Sequence, residues 1–285
     1  MVGLKQEGIK IKMSILDVVD SKTNIGNTIC WSFRNRIPEL IKSLESADTT
    51  CPKNVDFLLI DANSEEKNIK WLKNFVSDLP RYTTRGVRIC ETFYRTTLPE
   101  AWNLALMLSD TRYCIFASSD VLFLKQGWFE MFVAHFKNGS EYVLMPNHAV
   151  FGLNKSLVAK IGWFDEGFKN GPHFDPDYMI RASEIGIRIN SINNNGFYKH
   201  EDNEEVTNKR LTGYVENRLP MNDLYNEQYF KSKWQSNWPG WENAPDLLNL
   251  PHPPTNISKV KRLKQEIDPH PLYTERFKNE YPNIG

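Results

Sequence analysis

The chain has 285 residues, 40% of them hydrophobic, with 35 basic and 35 acidic side chains. A balanced charge disfavours bulk electrostatic binding, so no nucleic-acid partner is expected. No apolar run is long enough for a transmembrane helix, and the first residues lack the apolar core of a signal peptide, which points to a cytoplasmic protein. The four cysteines, Cys30, Cys51, Cys90 and Cys114, have no metal-site spacing and read as reduced, buried thiols.

In chain order, residues 13–19 predict a first strand and residues 20–27 a polar loop. A strand leads into Phe33-Arg-Asn-Arg36. Pro38 suits the first turn of a helix whose apolar face is Leu40, Ile41 and Leu44. Residues 55–60 form a strand ending in Asp61-Ala-Asn-Ser64. Asn63 and Glu66 have capping-box spacing before a helix striped by Ile69, Leu72, Phe75 and Val76. Residues 86–90 are a strand and 98–108 a helix carrying Ala101-Trp-Asn103.

Residues 113–117 are a short apolar run, read as a strand buried on both faces. It ends at Ser118-Ser-Asp120. A carboxylate is costly to bury, so Asp120 belongs where the strand leaves the core, and ligands of open α/β sheets bind at that edge. A metal or a phosphate-bearing substrate is expected there. The competing reading makes Asp120 the cap of a helix over 126–136.

Short strands at 142–145 and 149–153 and a helix at 155–161 follow. Next comes Gly162-Trp-Phe-Asp-Glu166. A helix starts near Pro176 and stops at Gly186, a C-cap glycine. A strand at 187–192 and an Asn-rich turn lead to His200. Repeated strand–helix alternation in the first half predicts a mostly parallel central sheet flanked by helices. Beyond Glu201, proline and aromatic residues become dense. We read a main α/β domain over 1–202 and a C-terminal extension over 203–285, with a helix near 222–234 and a tail wrapping the core.

Taken together, Asp61-Ala-Asn-Ser64, Ala101-Trp-Asn103, Ser118-Ser-Asp120, Phe164-Asp-Glu166 and Asp175-Pro-Asp177 with Arg181 resemble the motif series of GT-A-fold glycosyltransferases, most closely family 2. Phe33-Arg-Asn-Arg36 is similar to a segment near the donor nucleotide in GT-A galactosyltransferases. The resemblance covers about residues 12–202. It implies a GT-A nucleotide-diphospho-sugar transferase fold and an inverting glycosyltransferase. The donor is a nucleotide sugar, a UDP-sugar first, and the acceptor a hydroxyl of a glycan or glycoconjugate. By the same resemblance, Asp61 contacts the nucleobase, and Asn103 lies under the nucleotide. Ser118 and Asp120 occupy the metal-binding Asp-x-Asp motif, with its first carboxylate replaced by serine. A divalent metal, Mn or Mg, is expected on Asp120 and His200.

The chemistry assigns roles alongside structural alternatives. By the resemblance Asp175 is the expected base, or else it is a helix N-cap before Pro176. Arg34 and Arg36 can clamp a diphosphate, or else stand solvated at a helix start. Asp61 can also form an Asx-type turn. Asp177 and Arg181 have i, i+4 spacing and read as a helix salt bridge. Trp163, Trp234, Trp238 and Trp241 can stack on sugar faces or pack on the core. Two rival functions are a sugar nucleotidyltransferase, disfavoured by the weak loop after the first strand, and a glycan-binding protein on a decayed transferase fold.

Overall fold

The computed structural model describes residues 11–15, 27–78, 86–169, 173–193, 196–200 and 220–234. The 202/203 boundary, Trp238, Trp241 and the expected tail lie outside these residues.

Eight strands form one sheet in the order β1-β4-β3-β2-β5-β8-β7-β9. These are β1 (Ile11–Ile15), β2 (Asn27–Phe33), β3 (Asp56–Asp61), β4 (Val87–Thr92), β5 (Tyr113–Ser118), β7 (Tyr142–Leu144), β8 (Val150–Asn154) and β9 (Ile189–Ser191). A separate ribbon pairs β6 (Val121–Phe123) with β10 (Tyr198–His200). The helices are α1 (Ile37–Thr50), α2 (Glu66–Asp78), α3 (Leu98–Leu108), α4 (Trp128–Lys137), α5 (Ser156–Ile161), α6 (Phe174–Glu184) and α7 (Pro220–Trp234).

The centre is parallel: β2 pairs with β3 and with β5, and β3 pairs with β4, all in the same direction. Strands β1 and β8 run antiparallel to their neighbours. This is the expected mixed α/β architecture of the GT-A fold. The central strands are apolar on both faces because helices cover both. Ile29, Trp31 and Phe33 point into a core shared with α1, α2 and α4. Cys30 lies in a second core shared with α3, α5 and α6. All four cysteines are buried and free of disulfides.

Glycine and polar side chains set two of the helix positions. A Cβ on Gly152 of β8 would come within 2.7 Å of Phe136 and 2.9 Å of Phe132, so glycine lets α4 lie close on the sheet. Ser43, Ser46 and Thr50 line one side of α1. They accept from Trp31 Nε1, the Phe123 N–H and Trp128 Nε1, each at 3.0 Å. Buried donors need such partners, and these tie α1 to β2, β6 and α4.

Some helix starts differ from expectation. Asn63 adopts a left-handed backbone, φ +63°, and α2 begins at Glu66, so Glu66 is the first helical residue and no Asn63–Glu66 box forms; the Glu65 N–H is taken by Asn35 Oδ1 at 2.8 Å. A true capping box sits instead at Thr97 and Glu100, ahead of α3. Helix α6 begins at Phe174, two residues earlier than expected, after His173 with φ +86°. Asp175 is therefore inside the first turn and is not the N-cap. Gly186, φ +80°, ends α6 as expected, and the Ile187 N–H bonds the Ala182 carbonyl. Among the described residues no helix is long and apolar enough to cross a membrane.

Candidate active site

Chain order runs outward from β2 to β3 and β4, then returns to place β5 on the other side of β2. The carboxyl ends of β2 and β5 therefore flank the point where strand order reverses, the usual place for a ligand in such a sheet. After β2 the chain continues as Arg34-Asn-Arg36. After β5 it continues as Ser119-Asp120 into β6.

Asp120 is only 5% exposed, and both of its oxygens are engaged. Oδ2 accepts from Arg36 Nη1 at 2.9 Å, and Oδ1 lies 3.0 Å from His200 Nε2. The ribbon explains the histidine: antiparallel β6–β10 pairing sets His200 opposite Val121, next to Asp120. Burial alone would raise the Asp120 pKa. The hydrogen bond and charge of His200, then the charge of Arg36, pull it down to about 2. Asp120 is thus an anion held between two cationic or cation-capable groups, and it does not cap α4, which starts at Trp128.

Asp61 ends β3 beside β2. Its Oδ1 accepts from the Ser64 N–H at 3.0 Å and from the Ser64 hydroxyl, so the turn alternative is present. Burial pushes the Asp61 carboxyl up, and the Ser64 bonds hold it partly back. The Ser64 hydroxyl also accepts from the Asn35 N–H at 2.9 Å, and Arg34 Nε donates to the Asn63 carbonyl at 3.3 Å. Asn35, φ +58°, and Asn63 are both left-handed, a conformation that asparagine tolerates better than most residues. The β2–α1 and β3–α2 loops are cross-tied at this edge.

Asp175 reaches the same edge from another direction. The Ser118 N–H bonds the Ala149 carbonyl at 2.9 Å, joining the end of β5 to the 3₁₀ turn Pro146–His148. His148, φ +56°, ends that turn, and its Nδ1 lies 3.7 Å from Asp175 Oδ2. Asp175 is 15% exposed, and burial pushes its carboxyl up to about 7. Burial drives the His148 imidazole down to about 4. Sequence reasoning missed His148. The one available sign was a histidine between two predicted strands, a residue type enriched at left-handed positions.

The remaining expected residues fall elsewhere. Asn103 is fully buried; its amide donates to the Phe164 carbonyl at 2.9 Å and Glu166 Oε1 at 2.8 Å, and its oxygen accepts from the Phe164 N–H. Its hydrogen bonds brace α3 against the 162–168 loop. Asp177 and Arg181 form the expected i, i+4 pair at 3.0 Å, both fully buried. Asp165 accepts from Tyr229 at 2.9 Å and from Lys233 at 2.6 Å, and Lys233 also meets Asp177 at 2.7 Å. Trp234 Nε1 donates to Asp177 at 2.9 Å. Asp165, Asp177, Arg181 and Trp234 thus hold α7 on α6, and Trp163 and Trp234 are buried in the core.

Among the described residues no three His, Cys, Asp or Glu side chains converge as a ready metal centre. Asp120 and His200 fit a smaller role. One carboxylate oxygen and one imidazole nitrogen, 3.0 Å apart, suit two positions of a divalent ion whose other donors are phosphate oxygens and water.

Comparison with known proteins bears on the family and the fold. The sequence profile of glycosyl transferase family 2 matches residues 28–215. No curated protein matches the sequence. Among solved structures, the fold is similar to that of GalNAc-T7 with UDP, GalNAc and Mn²⁺, at TM-score 0.60 and 12% identity, covering 91% of this chain and 57% of that one. It is also similar to the mannosyltransferase PcManGT from Pyrobaculum calidifontis with GDP-Man and Mn²⁺, at TM-score 0.54 and 11% identity, covering 94% and 84%. S. aureus TarS matches at TM-score 0.50 and 13% identity over 73% of this chain, which spans 42% of TarS. Parallel centre, switch-point site and profile match lead to one assignment: the chain belongs to glycosyl transferase family 2 and is a glycosyltransferase of the GT-A fold.

Proposed function

We propose that the chain transfers a sugar, with inversion, from a nucleoside-diphosphate donor to a hydroxyl of a glycan or glycoconjugate. The observation that carries this reading is Asp120 at the switch point, held between Arg36 and His200 and linked through the β5 end to the turn facing Asp175.

Asp61 and Arg34 hold the nucleoside. A carboxylate oxygen of Asp61 can accept from a ring N–H of uracil, and a UDP-sugar is the first donor to test. Arg34, Arg36 and Ser118 face the diphosphate, and a guanidinium fork matches phosphate oxygens. Asn103 acts from beneath, by fixing the loop that follows α5. Asp120 and His200 would hold a divalent ion, which when bound neutralises charge on the leaving diphosphate.

Asp175 takes the proton from the acceptor hydroxyl. A base that titrates near 7 is matched to work near neutral pH. The acceptor oxygen bonds to C1 of the sugar as the C1–O bond to the diphosphate breaks, and the diphosphate leaves with the electron pair. Attack opposite the leaving group inverts the anomeric centre.

Proton NMR of sugar freshly released from α-linked UDP-hexoses in Mn²⁺ tests this. The expected first product is the β-anomer, formed by water in place of the acceptor. The α-anomer as first product would overturn inversion. No release or transfer with any nucleotide sugar would favour the glycan-binding reading.

A further inference from the structure

We infer that Tyr142 and His148 act as a positioning pair that fixes an imidazole N–H toward Asp175. The inference rests on Asp175 being the base.

Tyr142 on β7 is fully buried, and its hydroxyl lies 2.7 Å from His148 Nε2. Among the described residues that nitrogen is the hydroxyl's hydrogen-bond partner. Burial holds the phenol well above its ordinary pKa, so it keeps its proton. A buried O–H left without an acceptor is costly, so it donates to Nε2. Nε2 is then the acceptor nitrogen of the ring. The imidazole is neutral over the working range, because burial drives its pKa to about 4. A neutral ring carries one proton, which therefore sits on Nδ1. Nδ1 is the atom 3.7 Å from Asp175 Oδ2.

That separation is too long for a hydrogen bond, but catalytic contacts commonly tighten once substrate is bound. Closing it gives Asp175 one donor on Oδ2, stabilises its ionised form and leaves Oδ1 to meet the acceptor hydroxyl. The left-handed backbone at His148 and the edge-on packing of its ring against Phe151, centroids 5.1 Å apart, hold the imidazole in this orientation. Other charged or titratable groups packed here come from α6. Tyr178 and Arg181 act on Tyr142, and Asp177 is neutralised by Arg181.

Nitrogen NMR of histidine-labelled full-length protein at about pH 6 reads the tautomer directly. His148 is expected to carry its proton on Nδ1, and Tyr142→Phe to shift it toward Nε2. In the donor-hydrolysis assay, His148→Ala should lower kcat roughly tenfold or more, with KM for the UDP-sugar unchanged. Its pH–rate inflection should lie above that of wild type, because Asp175 loses a donor to its charged form. His148→Asn, which keeps an N–H donor and tolerates positive φ, should recover most of the loss. A wild-type Nε2-protonated ring, or an unmoved inflection in folded His148→Ala, overturns the inference. If Asp175→Asn itself retains full activity, the base assignment has failed instead.

Discussion

Burial of Asp175 works against the fold, and on the proposed mechanism it serves the reaction. An aspartate in an unfolded chain titrates near 3.9, and in the fold Asp175 titrates near 7. Between those values the native state holds the extra proton. Its contribution to stability is complete below about pH 4 and is lost as pH rises through 7. Asp175→Asn should therefore be more stable than wild type at pH 8, by on the order of a few kcal/mol, and about as stable as wild type at pH 4. It should lose transfer at both. Equal melting at pH 8 would contradict the burial argument. His148 has the opposite sign: its depressed pKa gives stability present above 6.5 and lost as pH falls through about 4. The pair is thus neutral between about 4 and 7. Asp120 differs again, being ionised throughout. Asp120→Ala should lower transfer by at least about a hundredfold, with circular dichroism and cooperative melting retained. Full activity in that variant would remove Asp120 from the site.

Helix α7 carries a cation into the interior. Lys233 sits between Asp165 and Asp177, and Arg181 balances the second carboxylate. Lys233→Met fills similar space but leaves buried negative charge unpaired. It should cost about 3–5 kcal/mol, read as a drop in the urea midpoint. A change below about 1 kcal/mol would mean that α7 is not seated on α6 as described. Here the limits of the sequence are physical. The i, i+4 spacing of Asp177 and Arg181 announced their pairing, because helix geometry is local. Lys233 meeting Asp165, 68 positions away in sequence, could not be foreseen, because nothing local encodes that contact. The same holds for His148 against Asp175 and for Asn35 capping the start of α2. The β6–β10 ribbon also went partly unread, since three-residue strands carry almost no periodicity.

At the scale of the molecule, the parallel centre was legible because alternating strands and helices leave few topologies. A strand apolar on both faces, followed by a lone aspartate, marks a carboxyl edge where a ligand is expected, and the strand order makes that edge the switch point. The ligand-binding edge follows from that topology, and the specificity follows from the loops it presents. Donor binding tests the central claim most directly. Isothermal titration of the full chain with UDP and GDP, each with and without Mn²⁺, should show one site for at least one nucleotide. Binding should be strengthened by the metal and should be lost in Asp120→Ala. Failure of both nucleotides to bind folded wild-type protein, or unchanged metal-dependent binding in Asp120→Ala, would contradict the account.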